Sequence, residues 1–227
     1  MSIVAVVPAY NNSETVGDTV RALKLDSRVD EVIVVDDGST DATAAQATAA
    51  GAKVIRLPKN FGKHVALERG MSDAGEADVL LMVDADTGST ASEVVALAEP
   101  LVRAEADMAV AILPSAGSAG GFGTVRRAAA WLILITSGFK SAAPMSGQRA
   151  LTRQVFEACR PFARGFGVDA ALTADAVRRG FRVVEIPVAM THEHRGRTWK
   201  GFAHRARQGF HLLVAFAPRL IRRKGPP

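Results

Sequence analysis

The sequence is poor in three features, and each scarcity excludes a class of protein. It has one cysteine, Cys159, so an internal disulfide framework cannot form and a reducing compartment is expected. Only 6% of the residues are aromatic, which leaves few stacking platforms for single-stranded nucleic acid. No uninterrupted apolar stretch reaches the roughly 20 residues that a membrane-spanning helix needs.

Two sequence signals are also missing. The first residues lack a basic segment followed by a hydrophobic core, so we expect no secretory signal and a cytoplasmic location. No Gly-x-Gly-x-x-Gly follows the first apolar run, Ile3 to Val7, which disfavours a Rossmann dehydrogenase.

The sequence is 48% hydrophobic, enough for a large core, with a formal net charge of +5. Much of the positive charge lies between Arg195 and Lys224, which would suit nucleic acid, an anionic membrane or a phosphorylated substrate.

Over its first hundred residues the chain repeats an apolar strand, an acidic or polar turn, and a helix. This alternation predicts an α/β fold whose mostly parallel central sheet is flanked by helices. Because parallel strands point the same way, we expect all of these turns to lie at one edge of the sheet, where open α/β sheets bind ligands.

The most informative turn follows the run Val79 to Val83, which we predict to be a strand buried on both faces. Asp84 and Asp86 come directly after it, and the two-residue period of a strand lets both carboxylates converge on one point. Converging hard oxygen ligands suit Mg²⁺ or Mn²⁺. The plainer interpretation of this pair is a solvated loop after a strand.

Taken together, the turns resemble the family 2 glycosyltransferases of the GT-A fold, and among them the polyprenyl-phosphate sugar synthases. The resemblance rests on segments that occur in the family's order: Val7-Pro8-Ala9-Tyr10-Asn11, Asp36-Asp37-Gly38-Ser39-Thr40-Asp41, Asn60-Phe61-Gly62-Lys63, Asp84-Ala85-Asp86 and Met145-Ser146-Gly147-Gln148-Arg149. It implies a Rossmann-like GT-A domain over residues 1–190. The basic, amphipathic extension, residues 191–227, would complete the site.

The resemblance implies a nucleotide-sugar donor, with a UDP or GDP base. The residues expected to bind it are Pro8, Ala9, Tyr10, Asn11, Asp37, Asn60, Gly62, Lys63, Asp84 and Ala85. Asp36 could instead be a turn former, since aspartate favours such turns by itself. Asn-x-Gly is likewise an ordinary turn sequence, so the expectation for Lys63 depends on the family pattern.

The resemblance also implies a metal site and a catalytic base. Asp86 would bind Mg²⁺ or Mn²⁺ directly, Asp84 would hold the metal or a ribose, and His192 would complete the site, with His194 as the alternative. Asp169 would take the acceptor's proton in an inverting transfer, and a retaining mechanism stays open. One alternative role is a helix N-cap. A phosphate acceptor is already ionised and needs no base, so with a polyprenyl phosphate Asp169 would instead bind the metal, the sugar or a cationic partner.

On the acceptor or sugar side, the resemblance implies Ser146, Gly147, Gln148, Arg149, Arg195 and Arg197. The last two could equally form a solvated basic face. In the C-terminal extension, basic residues flank an aromatic and aliphatic segment, as in a helix lying at a membrane interface. The alternative is a helix that packs on its own domain or on a second subunit.

Three functions compete. The first is a metal-dependent transfer of a hexosyl or N-acetylhexosaminyl group to a polyprenyl phosphate or another membrane-proximal acceptor, at the inner face of the membrane. The second is the same chemistry on a soluble small molecule, such as a phosphorylated compound or a natural product. The third is a non-catalytic nucleotide- or nucleic-acid-binding module, which the positive charge favours and the scarcity of aromatic residues disfavours.

Overall fold

A computed structural model describes residues 1–114, 122–190, 212 and 214–220. Within those residues, one sheet has the strand order β3-β2-β1-β4-β6-β5-β7. The strands are β1 Ile3–Ala9, β2 Glu31–Asp36, β3 Lys53–Arg56, β4 Val79–Met82, β5 Met108–Ile112, β6 Arg149–Thr152 and β7 Val183–Pro187. The α-helices are α1 Val16–Leu25, α2 Thr43–Ala49, α3 Lys63–Asp73, α4 Glu99–Val102, α5 Phe122–Ser137, α6 Arg153–Cys159 and α7 Val168–Arg178. Two 3₁₀ helices, Gly88–Ala98 and Gly165–Gly167, precede α4 and α7.

The central strands are buried because helices cover both faces of the sheet. Along β1, alternate residues enter two different cores: Ala5 and Val7 pack on one face, while Val4 and Val6 pack on the other. A strand whose two faces are both covered must be apolar at nearly every position, which explains the continuous apolar runs of β1, β2 and β4. The predicted α/β sheet flanked by helices is confirmed.

The direction of each strand decides which loops meet. Strands β1, β2, β3 and β4 are mutually parallel, so the turns after them share one edge of the sheet. In contrast, β6 runs antiparallel between β4 and β5, with Met82 opposite Arg149. The loop that enters β6 therefore arrives at the edge where β4 ends. This one reversed strand places Ser146 to Gln148 beside Asp84.

The described part of the C-terminal extension packs on the domain. Leu212, Ala215 and Phe216 are buried in a cluster with residues of α5 and α7. Arg219 anchors the same segment, because its guanidinium makes two hydrogen bonds to the carboxylate of Asp175 on α7. This packing matches the alternative of a helix lying on its own domain. None of the helices in the described residues combines the length and hydrophobicity needed to cross a membrane.

Helix α3 carries Lys63 at its first residue and lies unusually close to the sheet at Gly70. A Cβ built on Gly70 would lie 2.5 Å from Cγ1 of Val6 and 2.9 Å from Cγ2 of Val35. Both valines belong to the core, so they cannot move without disturbing their neighbours. The missing side chain therefore sets the distance between α3 and the sheet.

We predict that Gly70→Ala lowers the free energy of unfolding by about 1–3 kcal/mol, the usual range for overpacking a core. Urea unfolding measures this change. Gly123→Ala is the matched control, because a Cβ on that helical glycine meets nothing within 4 Å. The control should be neutral or stabilising by up to about 1 kcal/mol. Equal effects of the two substitutions would contradict the close packing of α3.

Candidate active site

The turn after β4 presents one half-buried carboxylate and one exposed carboxylate, at Asp84 and Asp86. Between them, Ala85 is buried, and its carbonyl accepts hydrogen bonds of 3.0 Å from the hydroxyls of both Thr15 and Thr19. These two threonines belong to the start of α1, so the turn is fixed to a neighbouring helix. The backbone of the turn is thus anchored, while the side chain of Asp86 is exposed to solvent.

Lys63 is the centre of the site, because its ammonium contacts two carboxylates that are distant in sequence. Its Nζ lies 2.8 Å from Oδ1 of Asp84 and 3.4 Å from both carboxylate oxygens of Asp169. The three side chains are each less than one third exposed. In this partly desolvated setting, opposite charges interact more strongly than on an open surface.

The protonation states follow from burial and from these contacts. Burial disfavours the charged form of Lys63, but Asp169 and Asp84 outweigh it and raise the pKa of the lysine. Burial also raises the pKa of Asp169, against the opposing effect of Lys63 and Arg149. Lys63 is therefore a permanent cation at neutral pH, and Asp169 is a carboxyl group whose charge depends on its cationic neighbours.

Gly147 and Gln148 shape the other side of Asp84. The amide nitrogen Nε2 of Gln148 donates to Oδ2 of Asp84 over 3.1 Å, and Oε1 accepts from the Asp84 backbone N–H over 3.2 Å. A Cβ on Gly147 would lie 2.3 Å from Oδ2 of Asp84 and 2.7 Å from Nζ of Lys63. The site therefore requires glycine at position 147 and fixes the Asp84 side chain through Gln148.

A second cluster joins the turns after β2 and β3. Both oxygens of the buried Asp37 carboxylate accept backbone hydrogen bonds of 2.7 Å, one from Phe61 and one from Gly62. Gly38 has a φ of +73°, and a Cβ there would lie 2.5 Å from the carbonyl carbon of Lys59. Only glycine allows this approach, so the two turns form one rigid wall of the edge.

The predicted alternative for Asp36 matches its contacts. Asp36 is fully buried, and its Oδ1 accepts a hydrogen bond of 2.9 Å from the backbone N–H of Ser39. Its other oxygen lies 3.4 Å from Nε of Arg56. These contacts form the turn and leave the carboxylate inside the protein.

The end of β1 completes this wall. Ala9 accepts a hydrogen bond of 2.8 Å at its carbonyl from the backbone N–H of Asp37. Asn11 adopts a left-handed φ of 52° and accepts a hydrogen bond of 3.0 Å at Oδ1 from the backbone N–H of Thr40. The Tyr10 ring is 46% exposed beside this turn. Pro8 to Asn11 thus form an ordered edge with one accessible aromatic ring.

The structure brings several of the predicted residues into direct contact: Lys63, Asp84, Gly147, Gln148 and Asp169. The described part of α7 has Gly167 as its N-cap residue, with no side-chain cap hydrogen bond, so the cap alternative for Asp169 does not hold there. His192, His194, Arg195 and Arg197 fall outside the described residues. Their predicted roles stay predictions.

The prediction placed Gln148 and Arg149 against the acceptor or the donor sugar. The structure instead buries both side chains completely. The guanidinium of Arg149 donates to the hydroxyl of Thr173 over 2.8 Å and to the carbonyl of Ser146 over 2.9 Å. Both residues therefore contact protein groups beneath the site, because strand β6 enters the sheet between two covered faces.

Carboxylate oxygens are the ligands that Mg²⁺ and Mn²⁺ prefer, so Asp84 and Asp86 fit such an ion by their chemistry. In the residues that the structure describes, no cluster of three or more His, Cys, Asp or Glu side chains is arranged to hold a metal. The third ligand predicted from the sequence, His192 or His194, lies outside them. The described residues therefore provide two carboxylate ligands of the type that Mg²⁺ or Mn²⁺ prefers, Asp84 and Asp86.

Several residues that hold the site together were not predicted. Thr15, Thr19 and Thr173 support Ala85 and the first turn of α7, while Glu185 accepts hydrogen bonds from Ser141, Ala142 and Ala143 in the loop before β6. Local sequence gives no signal for them, because Thr15, Thr19 and Glu185 bond residues that are distant in the chain, and Thr173 is held by Arg149 from another element.

The mixed sheet and the acid-bearing turns along one of its edges agree with the GT-A class of folds expected from the sequence. A family model described as glycosyl transferase family 2 matches residues 4–163. The chain belongs to this family. The resemblance to family 2 glycosyltransferases seen in the sequence is confirmed. Membership in a family of transferases argues against the third function, a non-catalytic binding module.

Individual relatives agree with this assignment. The chain is 32% identical over 238 residues to a glucosyl-3-phosphoglycerate synthase of Mycolicibacterium smegmatis, an alignment that covers 94% of the chain and 77% of the relative. It is 27% identical over 194 residues to glycosyltransferase AglJ of Haloferax volcanii, which covers 82% of the chain and 62% of that protein. The chain thus spans about three fifths to three quarters of these relatives.

A solved structure covers nearly the whole chain. The glucosyl-3-phosphoglycerate synthase of Mycobacterium tuberculosis, in complex with Mn²⁺, UDP-glucose and phosphoglyceric acid, has a TM-score of 0.76 and 27% identity. The match covers 95% of this chain and 80% of that one. The GT-A fold predicted from the sequence is therefore confirmed.

We predict that Gly147→Ala opens the pair between Lys63 and Asp84, because the new Cβ would take the space of both groups. Modification of Lys63 by an amine-acylating reagent, followed by mass spectrometry, should then accelerate about tenfold, which corresponds to ~1.4 kcal/mol of lost ion pairing. The exposed Lys140 is the reference within the same protein. An unchanged ratio of the two rates would contradict the contact.

The rate at which Lys63 is acylated should rise with pH only at a higher pH than for an ordinary lysine. The pKa of Lys63 is raised, so the stabilisation by its ammonium is fully present below the ordinary lysine pKa of about 10.4 and is lost only as the pH rises beyond it. In the wild-type protein, Lys63 should stay protonated and slow to react up to a higher pH than an ordinary lysine.

Proposed function

We propose that this protein transfers a hexosyl group from a UDP-sugar to a soluble, phosphorylated small molecule, in a reaction that needs Mn²⁺ or Mg²⁺. The supporting observation is the match over nearly the whole chain to a structure that holds UDP-glucose, Mn²⁺ and phosphoglyceric acid together. UDP-glucose and a phosphoglycerate-like acceptor are therefore the first substrates to test. This is the second of the three functions considered from the sequence.

This proposal differs from the main sequence-based expectation in its acceptor, because the sequence favoured a polyprenyl phosphate. That expectation relied partly on a C-terminal segment lying at a membrane interface. In the described residues, Leu212, Ala215 and Phe216 of that segment are buried against α5 and α7. Apolar groups that stabilise the protein interior are not available to a bilayer. A soluble acceptor needs no such contact.

On the donor side, we assign the base and ribose to the wall formed by the turns after β1, β2 and β3. The backbone of Pro8 to Asn11 and the exposed Tyr10 ring offer polar groups and a flat surface. Asp37 orders this wall through Phe61 and Gly62, and each of its oxygens retains a second lone pair for a donor group. Lys63, at the start of α3, lies where an ammonium can meet a phosphate.

Departure of the nucleoside diphosphate builds negative charge that must be neutralised. Asp84 and Asp86 would hold the divalent ion, whose chemistry is to stabilise that charge. Lys63 contributes a second positive charge, and its contact with Asp84 keeps it at the same edge. The third ligand is proposed to be His192, with His194 as the alternative.

On the acceptor side, the sugar is transferred to a hydroxyl group whose proton must leave. Asp169 is the buried carboxyl group at this edge, and its pKa is raised by burial, as suits a group that takes a proton near neutral pH. Its contact with Lys63 keeps the carboxylate oriented toward the site. We assign Asp169 the role of proton acceptor.

The proposal is tested by incubating the chain with Mn²⁺, UDP-glucose and 3-phosphoglycerate, and by measuring UDP release and the glycosylated product. Parallel assays replace 3-phosphoglycerate with undecaprenyl phosphate in detergent as the acceptor, or UDP-glucose with GDP-mannose as the donor. We expect turnover with UDP-glucose and the soluble acceptor, and none after chelation. Turnover only with the lipid would restore the membrane-proximal function.

Asp86→Ala should lower kcat by about 10²–10³-fold and remove the Mn²⁺ dependence of UDP binding in calorimetry, because a charge-stabilising group is lost. Asp18→Ala is the control, since this exposed carboxylate pairs with Arg21 on the surface. Full activity of Asp86→Ala would refute the proposed metal site.

Asp169→Asn should lower kcat about 10²-fold, the usual contribution of a general base. UDP affinity should change by about threefold or less, because the lost group acts on the acceptor. Asp107→Asn, whose carboxylate pairs with Arg182 at the opposite edge of the sheet, is the control. If Asp169→Asn keeps its full kcat, Asp169 has no role in proton transfer.

A further inference from the structure

We propose that Arg149 is a positioning residue that holds both Asp84 and Asp169 in contact with Lys63. This inference rests on the proposed function, because it concerns how those carboxylates reach their working geometry. The sequence pattern placed Arg149 against a ligand. Its contacts point to a different task, carried out from beneath the site.

The first argument is the cost of placing Arg149 where it lies. Its side chain is fully buried at the first residue of β6, and burial lowers its pKa against the opposing effect of Asp169, Glu185 and Asp84. Its Nη2 is buried with no hydrogen-bond partner among the residues that the structure describes. Such a group destabilises a core relative to an apolar side chain, so stability alone does not account for an arginine here.

The second argument is a continuous path to Asp169. Nη1 of Arg149 donates to Oγ1 of Thr173 over 2.8 Å, and that hydroxyl donates to the carbonyl of Asp169 over 3.3 Å. Asp169 lies in the first turn of α7, one turn before Thr173. The guanidinium thus fixes the helix turn that carries the Asp169 carboxylate.

The third argument is a second path, to Asp84. Nε of Arg149 donates to the carbonyl of Ser146 over 2.9 Å. The next two residues, Gly147 and Gln148, are those that pack against and hydrogen-bond Asp84. One planar guanidinium therefore ties the Asp84 side of the site to the Asp169 side. The two bonds leave from different nitrogens of that plane, and a lysine ammonium, whose donors all sit on one nitrogen, does not match this geometry.

Glu185 supports the same loop from its other end. Its carboxylate accepts hydrogen bonds of 2.6 Å from the Ser141 hydroxyl, 2.6 Å from the Ala142 backbone N–H and 3.0 Å from the Ala143 backbone N–H. With both ends of the loop held, the hydrogen bond from Arg149 to Ser146 sets the position of Gly147. A shift of about 1 Å at such a site can cost about 10²-fold in rate.

The test compares Arg149→Met, Arg149→Lys and Thr173→Val with Arg153→Met in the transfer assay. Arg153 is the control because it lies just after β6, with Nη1 donating to the Met71 carbonyl away from the site. Thr173→Val keeps the buried arginine and removes one link, so it serves even if Arg149→Met does not fold. Melting temperatures are measured for all variants.

We expect kcat to fall about tenfold or more in Arg149→Met and Thr173→Val, with little rescue by Arg149→Lys and no loss in Arg153→Met. KM for UDP-glucose should change less than kcat in Thr173→Val, since only the Asp169 side is released. An unchanged kcat in Thr173→Val and in the folded Arg149 variants, with effects limited to melting temperature, would overturn the proposal.

A second measurement separates this proposal from the proposed function. In a crystal structure of Thr173→Val or Arg149→Met, the distance from Lys63 Nζ to the Asp169 carboxylate should increase by about 1 Å or more. An unchanged distance overturns the positioning role even if no acceptor is turned over. Absence of wild-type turnover with an increased distance would refute the proposed function alone.

Discussion

The ammonium of Lys63 between Asp84 and Asp169 is the interaction on which the candidate site depends. Burial raises the pKa of Asp169, and the negative charge of Asp84 acts in the same direction, so a nearby cation is needed to favour two ionised carboxylates at this point. The lysine supplies that charge from the first residue of α3, with its Nζ 2.8 Å from Asp84. The rest of the site is a set of supports that keep these three groups together.

Those supports follow from strand direction. Parallel strands carry the turns that we assign to the donor to one edge, and the antiparallel β6 brings a loop to the same edge from the opposite direction. This arrangement places Gly147 against Asp84 without a side chain between them. It also places Arg149 beneath the site, where it reaches both the loop and helix α7.

The C-terminal side of the domain supplies a third layer of support. Helices α5 and α7 share a buried cluster with Leu212, Ala215 and Phe216, and Arg219 pairs with Asp175. Helix α7 is therefore held near its first turn by Arg149, through Thr173, and further along by the C-terminal segment. Among the described residues, the Asp169 carboxylate contacts the elements that we assign to the donor only through Lys63. Its position therefore depends on a rigid α7.

The sequence by itself determined the fold class and which turns carry polar groups, because continuous apolar runs and acidic turns are local patterns. It also indicated that Asp36 could form its turn, which agrees with the contacts. The partnership of Lys63 with Asp84 and Asp169, and the burial of Gln148 and Arg149, were decided only by the tertiary structure. The reason is that contacts between residues 21 and 106 positions apart depend on strand order and direction, which local periodicity does not encode.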